Sequence, residues 1–341
     1  MSKIFLEIYG ISVEISVDNI FAAENLSKDF ILYVSGENKG RACRKTISVH
    51  IFETRPPYEK VPPLEASLYS LGSICYRDKG VHYVDYSGRG LMIYDFRGEK
   101  AELYSEDESL LYEKAKLAIL SRTGELLDQR HIHRIHAAGF SVNGQAAICL
   151  LPMEAGKTTL ALGVIERRKD IKLIADDVCL VDMKNNVFPM LLRIGVRDKG
   201  YAGKIPQEYI TRIHRMFYGE KLLIDLEYFK GRIVDRARLR SILIGKRVFT
   251  GKTEIRKISK VKCIMPFMQS GVFGLGLPQV VELFLRGDFS DIMKKTAMVF
   301  SRLFIFLAMV CRADTYELRI GRDKDKSAEE LADFLSSRAR L

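Results

Sequence analysis

The 341 residues contain few features that would fix a function by inspection. The six cysteines (Cys43, Cys75, Cys149, Cys179, Cys263, Cys311) are dispersed, with no C-x-x-C pair and no Cys/His spacing of a zinc knuckle. Most lie in apolar runs, which reads as free buried thiols in a reducing compartment. The most apolar run, Leu303 to Cys311, is nine residues long. A bilayer span needs roughly 20, so a buried helix is expected there and no membrane association. The opening MSKIFLEIYGISVEI alternates like a strand and lacks the apolar core of a signal peptide, so a cytoplasmic protein is expected. Tandem repeats and low-complexity segments are absent as well.

What is present is a 47% hydrophobic chain with a strong basic excess. That apolar fraction excludes a disordered chain, and the length suits two domains better than one. The net charge of +11 is local: Leu191 to Lys260 holds 18 Lys/Arg against 7 Asp/Glu, and the rest is balanced. Such a stretch suggests an anionic partner. Nucleic acid is not the expected one, since the stretch shows no helix-turn-helix, zinc or RNP pattern.

The first part of the chain is strand-like. FLEIYGISVEI, FILYVSG, KTISVHIF and the meander GVHYVDYSGRGLMIYDFRGEKAELY each alternate between turns. The Pro-rich Arg55 to Glu65 reads as a loop, because paired prolines remove backbone donors. A helix is expected from about Asp107 to Asp128, with Leu111, Ala115, Ala118 and Ile119 at helical spacing. The expected division is therefore a β-rich accessory domain with its linking helix over 1–128 and a second domain over 129–341.

In the second part RIHAAGFSV reads as a strand, Asn143-Gly144 as a hairpin turn and QAAICLL as a buried strand. Gly156-Lys157-Thr158-Thr159 then opens a helix. Strand, loop, GKT and helix form the setting of a phosphate-binding loop, where backbone N–H groups and the positive helix end face an anion. Lys157 would neutralise phosphate, and the Thr158 hydroxyl would bind Mg²⁺. The full pattern asks for glycine where Leu151 stands, and Glu154 puts a negative side chain in the loop. An ordinary strand-to-helix turn with a solvated lysine is the plainer alternative.

Asp176-Asp177 ends the apolar strand KLIADD some twenty residues after the lysine, where a metal-binding carboxylate is expected in phosphoryl transfer. Two adjacent carboxylates permit two roles, one holding Mg²⁺ and the other accepting a proton from an attacking hydroxyl. A pair that simply caps a turn is the alternative. His136 precedes the loop strand and can orient a substrate near neutral pH. A lone strand histidine usually packs. His131 and His133 fall on the opposite face from it, so a three-histidine metal site is not expected. Near the C-terminus TYELRIG reads as a strand, and SAEELADFL as a helix with a Ser327-x-x-Glu330 capping box.

Taken in order, IHAAGFSVNGQAAICLLPMEAGKTTLAL, KLIADDVCLV and TYELRIG resemble the catalytic core of HPr kinase-related proteins, which share a fold with phosphoenolpyruvate carboxykinases. The resemblance spans roughly Arg130 to Leu341. It implies an α/β (α+β) protein, a β-rich N-terminal domain followed by an HPr kinase-like P-loop core. By the same resemblance the loop Pro152, Met153, Glu154, Ala155, Gly156, Lys157, Thr158 and Thr159 would bind ATP. Thr158 and one aspartate of the pair would hold Mg²⁺ while the other acts as base, with Asp177 favoured for the metal and Asp176 for the base, and His136 matches the family histidine. The Glu/Arg/Gly-rich second signature of HPr kinase/phosphorylase has no counterpart here, where GVRDKGYAGKIP stands instead, so HPr is not the expected substrate. The implied activity is an ATP- and Mg-dependent kinase acting on a serine-like hydroxyl of a small molecule, peptide or protein, whose identity is open. The alternative is a non-catalytic nucleotide-sensing module with a degraded loop. Arg193, Arg197, Lys199 and Lys204 follow the acidic pair closely enough to line the same cleft, and a homo-oligomer is left open.

Overall fold

The computed structural model describes residues 1–36, 46–152, 154–197, 199–215, 219–249, 251–274, 276–278, 280–284, 286 and 289–338. Two compact units emerge. One comprises Met1–Leu127, Arg212–Lys221 and Pro278–Lys294, the other Asp128–Thr211, Leu222–Leu277 and Lys295–Leu341. Both mix large sheets with helices, an α+β architecture.

The first unit is built on eight strands. Their spatial order is Ser2–Ile8, Ile11–Val17, Thr46–Glu53, Lys100–Ser105, Gly90–Asp95, Val81–Asp85, Ser73–Asp78 and Ala66–Ser70. The first hairpin turns on Tyr9 and Gly10, both at positive φ, the backbone that two-residue hairpins require. FILYVSG does not form the expected strand. Ile31–Tyr33 is a 3₁₀ turn following the helix Ile20–Asp29, and only Val34 bridges, to Leu6. The helix Glu108–Asp128 forms as expected, with the Asp107 carboxylate accepting from the Ser109 and Leu110 amides to cap it.

The second unit centres on a sheet running Lys172–Ala175, Ala138–Val142, Gln145–Leu150, Ala237–Arg247, Asn186–Pro189, Val178–Val181 and His133–His136. Asp314–Ile320 pairs in parallel with Ala237–Arg247, and Glu254–Lys257 pairs with Asp314–Ile320. Strand periodicity divides the core between its two faces. Ala147 and Cys149 join Leu160, Val164, Leu331 and Leu335 of the helices Lys157–Arg167 and Lys324–Arg338. Ala146, Ile148 and Leu150 join Phe267, Ile305 and Met309 of Val261–Phe267 and Phe289–Arg312.

Three local expectations are corrected in this unit. RIHAAGFSV is two strands, not one: His133–His136 pairs with Val178–Val181, while Ala138–Val142 lies between Lys172–Ala175 and Gln145–Leu150. The break between them falls at Ala137, whose amide still donates to the Asp177 carbonyl. Leu303 to Cys311 is helical but only half-buried, with Phe304 and Leu307 exposed. The capping box does not form, because the last helix starts earlier and Asp323 caps it, accepting from the Asp325 and Lys326 amides. Ser327 sits inside that helix, its hydroxyl turned back to the Asp323 carbonyl. Asn143 and Gly144 do form the expected two-residue hairpin at positive φ. Cys75, Cys149, Cys179 and Cys263 are free and buried, Cys311 is exposed, and Cys43 lies outside the described residues. Among the described residues no helix is long and apolar enough to cross a membrane.

Candidate functional site

The site forms where the loop after Gln145–Leu150 turns into the helix Lys157–Arg167. Gly156 is the N-cap at φ 86°, and no side-chain hydrogen bond caps this helix end. The first-turn N–H groups therefore face outward with the positive end of the helix dipole behind them. The turn closes through the Ala155 amide, which donates to the Pro152 carbonyl. Met153 lies outside the described residues. Arg232 closes the other end of this helix, donating to the Ile165, Arg168 and Ile171 carbonyls.

The two departures from a glycine-rich loop have separate explanations. Leu151 is buried and packs where Gly245 has no side chain: a Cβ on Gly245 would come within 2.3 Å of Leu151 Cδ2. Glu154 takes positive φ and points outward, ion-paired at 3.0 Å with Arg197, both side chains well exposed. Neither side chain occupies the space above the helix end.

Lys157 is 7% exposed and its Nζ is 2.7 Å from His136 Nε2, 3.4 Å from the Leu151 carbonyl and 3.9 Å from Asp177 Oδ1. The other imidazole nitrogen, Nδ1, lies 3.2 Å from the same Asp177 oxygen. The Lys157 bond leaves Nε2 to accept from the ammonium and so puts the proton of a neutral imidazole on Nδ1, which is buried and close to Asp177 without a hydrogen bond of good geometry. Burial pushes the Lys157 pKa below its usual value, with Asp177 opposing. Burial also lowers the His136 pKa; Asp177 opposes that and the lysine charge adds to it. A lowered pKa favours the neutral imidazole that this hydrogen bond requires.

The acidic pair occupies the bend between Lys172–Ala175 and Val178–Val181. Its members diverge. Asp177 is about half exposed and faces His136 and Lys157, whereas Asp176 Oδ2 accepts from the Thr158 hydroxyl at 3.4 Å. The structure thus brings His136, Lys157, Asp177, Asp176 and Thr158 together. Thr159 is half-buried in the first helical turn, and no described group of three His, Cys, Asp or Glu is arranged to hold a metal. Of the cleft residues expected from the basic stretch, Arg197 reaches the loop through Glu154. Arg193 does not: it is buried and ion-paired to Asp225 at 3.8 Å. Lys204 is exposed, and the Lys199 side chain lies outside the described residues.

Two further contributors were not singled out from the sequence. Arg247 donates from Nε to the Ala155 carbonyl and from Nη1 to the Gly321 carbonyl. Its guanidinium lies so close that a Cβ on Gly156 would sit 2.8 Å from Nη2. Gly276, at φ 87°, packs its backbone on the His136 ring, where a Cβ would come within 2.6 Å. The glycines of GVFGLG were the available hint of a close backbone approach. That segment is anchored by Arg302, which donates to the Gly271 and Val272 carbonyls and pairs with the buried Asp128.

No family model matches the chain, and no curated protein matches it. Among solved structures, the HPr(Ser) kinase/phosphatase from Coxiella burnetii aligns with 61% of this chain and 96% of its own length, at 11% identity and a TM-score of 0.28.

Proposed function

We propose that this chain is an ATP- and Mg-dependent kinase that transfers a phosphoryl group to a serine-like hydroxyl. The observation that carries the reading is Lys157 at the open N-terminus of an 11-residue helix, with His136 and Asp177 converging on its ammonium. A lysine and outward N–H groups are what a triphosphate needs, and a carboxylate beside them is what an acceptor hydroxyl needs. The residues suit a magnesium ion as well. Thr158 and Asp176 offer oxygen ligands close together and partly exposed. When bound there, the ion would supply charge neutralisation at the phosphates.

The chain's own residues then divide the work. Lys157 and the Gly156–Thr159 amides hold the phosphates. Asp177 takes the proton of the acceptor hydroxyl as its oxygen bonds to the γ-phosphorus. The bond from that phosphorus to the β,γ-bridging oxygen breaks, and ADP leaves. His136 keeps Asp177 and Lys157 oriented. This gives the metal to Asp176 and the base to Asp177, the reverse of the allocation favoured from the sequence, because Thr158 faces Asp176 and the Lys157–His136 pair faces Asp177. One observation favours the non-catalytic alternative: Lys157 already hydrogen-bonds to His136 and the Leu151 carbonyl within the protein.

Incubating a cell extract with the protein and labelled ATP, beside the Asp177→Asn variant, tests the reading. Label transfer by the wild type and its loss in the variant, with ATP binding kept, is the expected result. ATP binding with no transfer to any component would leave the sensing module.

A further inference from the structure

We infer that Phe249 and Arg322 form a stacking platform for the base of the nucleotide; this rests on the nucleotide-binding reading above. Arg247 is the fixed point. Its guanidinium ties the Ala155 carbonyl of the phosphate loop to the Gly321 carbonyl, and the next amide, Val248, donates to Ile320 at 2.9 Å. Residues 247–248 and 320–321 therefore meet at the rim of the loop. Phe249 follows two residues on, within about 7 Å of chain, and Arg322 follows directly after Gly321.

These two side chains have already found each other. The Arg322 guanidinium lies 4.6 Å from the centroid of the Phe249 ring, yet that ring is 85% exposed. Two residues past the end of the strand Ala237–Arg247, the ring thus carries a cation over one face and leaves its other face open beside the loop. The ligand expected at the adjoining loop carries a matching surface, since every nucleobase presents a flat π-face. Stacking of this kind accepts any base. The site is therefore assigned to a nucleoside triphosphate with little selection between purines, the loop reading the phosphates and Phe249 the base.

Calorimetric titration with Mg-ATP, Mg-GTP and Mg-tripolyphosphate separates the two parts. The wild type should bind all three. Phe249→Ala should weaken both nucleotides about tenfold and leave tripolyphosphate unchanged, with Phe249→Tyr restoring nucleotide affinity. Lys157→Ala should weaken all three. If Phe249→Ala changes neither nucleotide, or weakens tripolyphosphate equally, the platform is wrong and the phosphate loop stands. If the wild type binds none of the three, the nucleotide reading itself fails and the platform with it.

Discussion

Lys157 donates a 2.7 Å hydrogen bond to the Nε2 of His136, which lies 21 residues earlier on the strand paired with Val178–Val181. The bond fixes a buried ammonium that otherwise has, among the described residues, the Leu151 carbonyl and a more distant carboxylate. Removing the imidazole in His136→Ala should cost about 1–3 kcal/mol of stability. His136→Gln, which keeps an acceptor, should recover part of it. Urea unfolding at pH 7 measures both, and two variants as stable as the wild type would show that the contact contributes nothing.

Restoring a loop glycine should do harm rather than good. Leu151→Gly removes a buried side chain that fills the space above Gly245, so a loss of about 3 kcal/mol or more is expected from the cavity. ATP affinity should not rise, because the leucine faces the core and not the helix end. Thermal unfolding and titration on the same variant check this, and tighter ATP binding without destabilisation would contradict it.

Asp128 provides the acid-sensitive element of the second unit. It is buried with His133, Arg302 and Arg134 around it, at 2.8, 2.6 and 3.7 Å. Burial opposes its ionisation, but the His133 hydrogen bond and the two guanidiniums prevail and hold its pKa at about 2, against an ordinary 3.8. A depressed carboxyl pKa gives stability that is complete above the unfolded value and lost as pH falls through the folded one. About 2 kcal/mol should therefore disappear between pH 4 and pH 2. Asp128→Asn, which strands two buried cations, should cost about 3–5 kcal/mol at pH 7. The gap between wild type and variant, followed by guanidinium unfolding, should hold from pH 8 to pH 5 and narrow below 4. A gap independent of pH would rule out this carboxylate as its source.

The local elements of the site were legible because each rests on contiguous residues. Asn143-Gly144 supplies the positive-φ turn, Gly156 the helix start, Lys157 the charge, and Asp176-Asp177 ends an apolar strand. FILYVSG misled because its first four residues finish the helix Ile20–Asp29 and turn through Ile31–Tyr33, which leaves only Val34 and Ser35 beside the first strand. The Ser327 capping box misled for a related reason: Asp323, four residues earlier, is the better acceptor for the free amides of that helix.

What the sequence determined on its own is the order of chemical groups: a strand histidine, a GKT turn, a carboxylate pair, and a basic stretch after them. Only the tertiary structure decided which of these touch. It set Asp177 on His136 and Lys157 but Asp176 on Thr158, although the two carboxylates are neighbours in the chain. It turned Glu154 outward to Arg197, buried Arg193 with Asp225, and brought Arg247 to a loop 92 residues before it. The physical reason is the same throughout. Spacing along a strand or helix fixes side-chain direction within that element, whereas a hydrogen bond, an ion pair or a glycine's close approach depends on which element packs opposite.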